Sequence, residues 1–154
     1  MRWIATSLGV MFLGITGSGC GPASQAEIVT IYKSPTCGCC VKWADHLEAN
    51  GFEVATIDVP DVGPVKAENG VPAELGSCHT ALVGGYVVEG HVPVADIQRL
   101  LTERPAVDGI AVPGMPIGSP GMEGAHPESY DVVTFEGGAA VGVFATHQGV
   151  SSMP

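Results

Sequence analysis

Hydrophobic and polar residues form three successive patterns near the start of the chain. Residues 28–32 form an apolar, β-branched run typical of a strand. Residues 41–50 carry apolar side chains at helical spacing, and Asn50-Gly51 is a pair typical of a helix end. Residues 52–58 alternate like a second strand. Because strands joined through a helix are usually parallel, this region predicts a β–α–β unit with a right-handed crossover.

The middle of the chain predicts a short helix, a hairpin and a longer helix. A weaker helical pattern covers residues 61–69, and residues 71–79 are predicted to form a loop. Residues 80–83 and 86–89 are apolar runs joined by a Gly-Gly pair, which strongly indicates a hairpin. Residues 94–103 form a helix pattern with a proline just before it and another beyond its end.

The last third of the chain is rich in proline and glycine. Residues 110–124 are predicted to form a loop, and residues 130–135 and 139–144 a second hairpin. These elements predict one domain at 27–144, followed by a flexible tail at 145–154. The element order predicts an α/β, thioredoxin-like fold with a mixed sheet flanked by helices, followed by the Gly/Pro-rich loop and hairpin.

The N-terminus predicts export. Arg2 precedes an apolar run at residues 4–15, which is too short to span a membrane and is typical of a signal peptide at 1–26. Small residues favour cleavage after Ala26, whereas Cys20 offers a competing lipoprotein site. The protein is therefore expected to be periplasmic, either soluble or anchored to a bacterial membrane by a lipid on that cysteine, which is its only expected membrane contact.

Charge excludes one class of partner. The formal net charge is −10, with 16 acidic and six basic residues in 154. Nucleic-acid binding requires lysine and arginine to neutralise phosphates, so no nucleic-acid partner is expected. The acidic residues are spread along the chain, which indicates a solvated surface rather than a cation site.

Candidate chemistry concentrates where the first strand meets the first helix. Cys37, Cys39 and Cys40 lie there, near a helix N-terminus that favours thiolate over thiol. Cys37 and Cys40 have the spacing of a redox dithiol, although Cys39 would disturb a clean couple. The thioredoxin-like topology places Cys78 and His79 against the same corner. Four sulfurs would then form a soft cluster suited to Cu(I), zinc or iron–sulfur. Bridged, inert cysteines are the structural alternative.

Two methionines and several histidines are secondary candidates. His79 is either a metal ligand or an ordinary loop residue. Met115 and Met122 lie seven residues apart in the Gly/Pro-rich loop, where each is either a thioether ligand for Cu(I) or a flexible filler. Two other histidines are expected to have surface or structural roles: His46 and His91.

Four linked motifs carry a resemblance. They are residues 34–40 (SPTCGCC) with Trp43 and His46, residues 77–81 (SCHTA), residues 85–93 (GYVVEGHVP), and residues 111–116 (AVPGMP) with 118–123 (GSPGME). Together they resemble the CopG-like family of exported bacterial metal-binding proteins from copper-resistance systems, over roughly residues 28–136. The resemblance implies a thioredoxin-like fold and a copper cluster, with redox cycling between Cu(I) and Cu(II).

The resemblance also implies which residues hold the metal. The copper ligands would be Cys37, Cys39, Cys40 and Cys78, and His79, His91, Met115 and Met122 are carried over as further candidates. A multinuclear copper cluster is one arrangement such a set would allow. Copper ions, and periplasmic copper-handling proteins, are the expected partners.

Three functional hypotheses follow. The first is an exported protein that holds Cu(I) in a thiolate cluster and converts copper between Cu(I) and Cu(II) in copper resistance, which leaves copper oxidoreductase activity open. The second is a thiol–disulfide oxidoreductase that uses Cys37 and Cys40. The third is a disulfide-stabilised exported module without chemistry. Cys78 stands where thioredoxins usually carry a proline before the third strand, which weighs against the second hypothesis.

Overall fold

The computed structural model describes residues 27–151. Seven strands and three α-helices follow in the order β1 Ile28–Lys33, α1 Gly38–Ala49, β2 Glu53–Asp58, α2 Gly63–Glu68, β3 His79–Val83, β4 Tyr86–Glu89, α3 Val94–Glu103, β5 Gly109–Ala111, β6 Ser129–Glu136 and β7 Ala139–Gln148, and a short 3-10 helix at Ala73–Leu75 precedes β3. The predicted signal peptide and Cys20 lie outside the described residues. Among the helices of residues 27–151, none has the length and apolar character needed to cross a membrane.

The seven strands form one mixed sheet in the order β2-β1-β3-β4-β5-β6-β7. Strand β1 pairs parallel with β2 and antiparallel with β3. Strand β4 pairs parallel with β5, and the remaining neighbours are antiparallel. The predicted thioredoxin-like mixed sheet is therefore confirmed. Because β3 is the neighbour of β1, the segment that enters β3 lies beside the corner that leaves β1.

The core forms between the sheet and the buried faces of α1 and α3. In β1, Val29 and Ile31 point to this core and are fully buried, which explains the alternating pattern of that strand. Trp43 of α1 is also fully buried, and its indole Nε1–H donates to the Val92 carbonyl at 2.9 Å. That hydrogen bond fixes α1 to the segment between β4 and α3, so the first turn of α1 has a defined position over the sheet.

Strand β5 was not predicted. Gly109–Ala111 was assigned partly to the Gly/Pro-rich loop, since three residues are too few to show alternation. All three are buried between β4 and β6. A side chain on Gly109 would meet the Val87 carbonyl oxygen at 2.2 Å, so glycine is required for this close approach. The strand joins the C-terminal hairpin to the thioredoxin-like part in a single sheet.

The last strand extends four residues beyond its predicted end at residue 144, so the predicted tail begins inside β7. The added residues pair with the start of β6, where Tyr130 lies opposite His147. His147 Nε2 also lies 2.5 Å from the carboxylate of buried Asp96 in α3. Polar residues such as Thr146 and Gln148 hid the strand pattern, and pairing with β6 overrides their composition.

Candidate metal centre

The cysteine corner begins α1. Cys37 occupies the N-cap position with an extended backbone (φ −76°, ψ 91°), and its amide N–H donates to the Ser34 carbonyl at 3.1 Å. The first turn of the helix, residues 38–41, contains no acidic residue. The positive end of the helix dipole is therefore not compensated by a carboxylate in that turn, and it favours negative charge on the sulfurs that lie there.

Four sulfur atoms meet at this corner. Cys37 and Cys40 are joined by a disulfide bond, whereas Cys39 and Cys78 are free thiols. Cys39 Sγ lies 3.5 Å from Cys37 Sγ and 3.9 Å from Cys78 Sγ. Cys78 Sγ lies 3.5 Å from Cys40 Sγ, and all four sulfurs are within 4.8 Å of one another. The predicted proximity of Cys78 to the corner is therefore confirmed.

Two buried histidines lie next to Cys78. His91 Nδ1 lies 2.8 Å from the Pro120 carbonyl oxygen, to which it donates, and its Nε2 lies 3.0 Å from Cys78 Sγ. Because Nδ1 carries the proton, Nε2 of the neutral ring presents a lone pair to the thiol. His79 Nδ1 lies 3.3 Å from the same sulfur. Cys78, His79 and His91 thus form a second group of potential ligand atoms within 4.8 Å.

Both imidazoles are held in the neutral form. Burial lowers the pKa of His79 well below its usual value, and the nearby His91 and Lys66 lower it further. Burial also lowers the pKa of His91, although the Pro120 carbonyl opposes the shift. The ring of His79 packs 4.4 Å from the ring of Trp43, and its Nε2 is the one buried imidazole nitrogen of the described chain without a hydrogen-bond partner. Neutral, buried imidazoles have the protonation state that metal ligation requires.

The surroundings of Cys78 favour the protonated thiol. Burial raises the pKa of Cys78 from 9.0 to about 12, and the proximity of Cys39 adds to the shift. Burial and a neighbouring sulfur both oppose negative charge on Cys78 Sγ. A cation bound among the sulfurs would remove this penalty, so metal binding must displace a proton from Cys78.

This pKa predicts how Cys78 reacts with alkylating agents. The reaction requires thiolate, so in the metal-free, disulfide-bonded protein the rate should rise about tenfold per pH unit, without levelling off near pH 9. Mass spectrometry of the Cys78 peptide after iodoacetamide pulses between pH 7 and pH 10 measures this rate. The same peptide in urea-unfolded protein is the control and should level off near pH 9. A plateau near pH 9 in the folded protein would contradict the raised pKa.

Comparison with known proteins places this arrangement in a family. A family described as "Protein of unknown function, DUF411" matches residues 75–122, which contain Cys78, His79 and His91. The solved structure titled "Copper resistance protein copG- Form 2" is 46% identical, with a TM-score of 0.74, covering 80% of this chain and 99% of its own. This chain belongs to the CopG family. The structure titled "Copper resistance protein copG- Form 1" is also 46% identical (TM-score 0.75), covering 81% and 100% of the two chains. No curated protein matches the chain.

In this CopG-family chain, the Gly/Pro-rich loop covers one side of the cysteine corner. An open cleft of about 480 Å³ lies between the first turn of α1 and this loop, and Cys39, Lys42 and Met122 line it. Met122 and Cys39 therefore face the same cleft. Met115 is 52% exposed, and the carbonyl of its neighbour Gly114 accepts a hydrogen bond from the Ser77 hydroxyl. The loop thus contacts both segments that supply sulfur, but the two methionines differ in their placement.

One glycine allows the loop to approach α1. Gly121 has φ +82°, and a Cβ there would lie 2.9 Å from the Trp43 backbone nitrogen and 3.0 Å from the Cys39 carbonyl oxygen. The loop residues on either side of Gly121 have separate roles, since the Pro120 carbonyl binds His91 and Met122 lines the cleft. Contact at Gly121 therefore determines where both neighbours lie relative to the sulfurs.

Substituting Gly121→Ala should destabilise the protein by about 1–3 kcal/mol, because alanine is strained at this φ and its methyl group meets helix backbone. Gly114→Ala is the matched control: φ is +68°, but a Cβ there has no neighbour within 4 Å. Urea denaturation of both variants measures the difference. Equal losses would show that backbone strain alone, rather than contact with α1, accounts for the effect.

His91 is the potential ligand that sequence reasoning underestimated. A structural role was favoured because the residue only follows a hairpin, yet the structure brings its Nε2 to 3.0 Å from Cys78 Sγ. The available signal was its place within the GYVVEGHVP motif, next to a hairpin whose first strand begins directly after Cys78. His46 is half-buried and lines a separate cleft, together with Glu123 and His147.

Proposed function

We propose that this protein binds Cu(I) through the thiolates of Cys37, Cys39, Cys40 and Cys78 after the Cys37–Cys40 disulfide is reduced. The observation that carries the proposal is the meeting of four sulfurs, from two distant segments, within 4.8 Å. Thiolates are soft ligands that suit Cu(I), zinc or iron–sulfur clusters. The names of the two related structures, both copper resistance proteins, support copper as the cargo.

Two further donor types adjoin the thiolates. His79 and His91 are neutral and lie within 3.3 Å and 3.0 Å of Cys78 Sγ, so each is suited to bind copper that Cys78 also binds. Cys78 would then bridge the cysteine group and the histidine group, an arrangement that favours more than one copper ion. Met122 is the better placed of the two methionines, because it lines the cleft beside Cys39, whereas Met115 is half-exposed.

We also propose that the cysteine pair exchanges electrons with copper. Reduced Cys37 and Cys40 supply one electron to each of two Cu(II) ions, which become Cu(I). The two sulfurs form a disulfide bond and release two protons, so atoms and electrons balance. The disulfide-bonded state of the structure corresponds to the product of this reaction. With an external thiol reductant to reopen the disulfide after each reaction, such conversion would make the protein a copper oxidoreductase as well as a copper carrier.

An exported location suits this chemistry. The predicted signal at residues 1–26 would deliver the domain to an oxidising compartment, where disulfides form and persist. There the protein would receive copper ions from the surroundings and exchange them with other copper-handling proteins of the periplasm. In this proposal the exported protein is either soluble in the periplasm or anchored by a lipid at Cys20 to a membrane that faces the periplasm.

A thiol–disulfide oxidoreductase is the second candidate function. The observation in its favour is the asymmetry of the disulfide, in which Cys37 is partly exposed and Cys40 is fully buried. An incoming thiolate would attack Cys37 Sγ and release Cys40. Strong insulin reduction without metal, unaffected by Cys39→Ala and Cys78→Ala, would favour this function over copper binding.

Anaerobic titration of the fully reduced protein with Cu(I), against a competing Cu(I) chelator, tests the copper proposal. We expect tight binding, and X-ray absorption of the loaded protein should show sulfur as the main neighbour of copper. The control is the Cys37→Ser/Cys40→Ser variant, which removes two thiolates and should bind far more weakly. Failure of the reduced protein to compete with the chelator, or full binding by the control, would refute the proposal.

A further inference from the structure

A buried carboxylate lies beside the segment that carries Cys78. Glu89, the last residue of β4, is fully buried. Its Oε1 accepts hydrogen bonds from the Lys66 ammonium group at 2.5 Å and from the Ser77 backbone N–H at 2.6 Å. Its Oε2 accepts a hydrogen bond from the Thr80 hydroxyl at 2.7 Å. One carboxylate therefore binds the residue before Cys78 and the residue after His79.

Two further hydrogen bonds bind the same segment. Lys66 of α2 donates a second hydrogen bond to the Thr80 hydroxyl at 3.1 Å, and the Gly90 N–H donates to the His79 carbonyl at 3.2 Å. Gly90 has φ +72°, and a Cβ there would lie 2.6 Å from Ser77 Oγ. The end of β4 thus packs tightly against residues 77–79. Any displacement of this strand end would move Cys78 relative to α1.

Strand pairing alone does not fix Cys78. Pairing of β3 with β1 begins at His79, opposite Lys33, and pairing of β3 with β4 begins at Thr80, opposite Glu89. Residue 77 lies before both ladders, and its N–H is bonded by a side chain rather than by a strand neighbour. A buried ion pair is weak evidence for a stability role, because an apolar pair of similar volume is often as stable. The bond to Ser77 N–H is the contact that an apolar pair could not supply.

We infer that Glu89, neutralised by Lys66, is a positioning residue that keeps Cys78 Sγ within reach of Cys39 and Cys40. The inference deepens the proposed copper function, on which it rests. Among residues 27–151, no hydrogen bond joins this carboxylate to a cysteine sulfur, so it acts through the backbone of residue 77 and the hydroxyl of Thr80. Lys66 supplies the countercharge that allows this carboxylate to be buried.

A metal-free experiment tests the positioning directly. In a Cys37→Ser/Cys39→Ser background only Cys40 and Cys78 remain among the cysteines of residues 27–151. Their disulfide equilibrium with glutathione then reports the effective concentration of one sulfur at the other. Two double variants are compared in this background: Lys66→Met/Glu89→Leu, which loses the acceptor for Ser77 N–H, and Lys66→Met/Glu89→Gln, which retains one. Both lack the ion pair, so they differ mainly in that hydrogen bond.

We expect the leucine variant to lower the effective concentration by about tenfold or more, and the glutamine variant to stay within about threefold of the parent. Thr80→Val, which removes only one hydroxyl, should lie between them and guards against failure of the leucine variant to fold. Asp58→Asn is a control away from the Cys78 segment. It breaks the ion pair between Asp58 of β2 and Lys33 of β1, and should leave the effective concentration unchanged. Equal values for leucine, glutamine and parent, whatever their stability in urea, would overturn the inference.

A second arm measures Cu(I) affinity with all four cysteines restored. The leucine variant should lose about tenfold or more in affinity, and the glutamine variant should stay close to the parent. If the parent protein itself fails to bind Cu(I), the proposed function fails, while the glutathione arm still decides whether Glu89 positions Cys78. If copper binds but both variants bind equally well, positioning is refuted and the copper function stands.

Discussion

Replacing Cys78 with serine should lower the affinity of the reduced protein for Cu(I) by at least about a hundredfold. Cys78 Sγ is the atom that connects the two ligand groups, since it lies 3.5 Å from Cys40 Sγ and 3.0 Å from His91 Nε2. A hydroxyl is a hard, protonated donor, and it cannot replace a bridging thiolate for a soft ion. Removing the Cys78 thiolate would therefore separate the histidines from the remaining sulfurs.

Competition with a Cu(I) chelator under anaerobic conditions measures this loss. His126→Ala is the control, because His126 is exposed and belongs to neither ligand group. Cys78→Ser should also change the X-ray absorption spectrum of the bound copper by reducing the nitrogen contribution from the histidines. Affinity within a few-fold of the unmodified protein would mean that the three cysteines of the corner suffice and that Cys78 is not a ligand.

Oxidation of the Cys37–Cys40 pair should remove most of the capacity for Cu(I). Two of the four sulfurs at the corner are then shared in a disulfide, and only Cys39 and Cys78 remain as thiols. Disulfide sulfur carries no negative charge and is a poor ligand, so the donor set falls from four thiolates to two. Parallel titration of oxidised and reduced protein with Cu(I) measures the difference in bound copper.

Alkylation and mass analysis of peptides provide the control for this second experiment. Among Cys37, Cys39, Cys40 and Cys78, alkylation after unfolding should find two free thiols in the oxidised protein and four in the reduced protein. Treating the oxidised sample with a phosphine reductant should restore both the thiol count and the copper capacity. Equal capacity in the two redox states would show that Cys37 and Cys40 do not take part in binding.

The sequence was most informative where local patterns are strong. The helix at Val94–Glu103 and the strand at Tyr86–Glu89 have the predicted bounds, because a proline and a Gly-Gly turn fix their ends. Strand β5 was missed because it has three residues and owes its conformation to β4 and β6 on either side. The end of β7 was missed because pairing with β6, and not composition, determines it.

For the candidate site, topology predicted which segments meet but not how their side chains are arranged. The position of Cys78 followed from the neighbourhood of β1 and β3, which the element order implied. The contact of His91 with Cys78 depends on a hydrogen bond from its Nδ1 to the Pro120 carbonyl, 29 residues further along the chain. The role of Glu89 depends likewise on a lysine from α2. Such long-range contacts of single side chains leave no periodic signal in a sequence.

The wide separation of Cys78 from the corner has a consequence for the order in which the protein is built. Cys78 lies 38 residues after Cys40, so the cysteines of the corner are synthesised before their fourth partner. A chain that ends before β3 contains the segments of β1, α1 and β2 but has neither Cys78 nor His91. Completion of the cluster therefore coincides with docking of β3 and β4, and a complete copper site would mark a chain whose central sheet has finished folding.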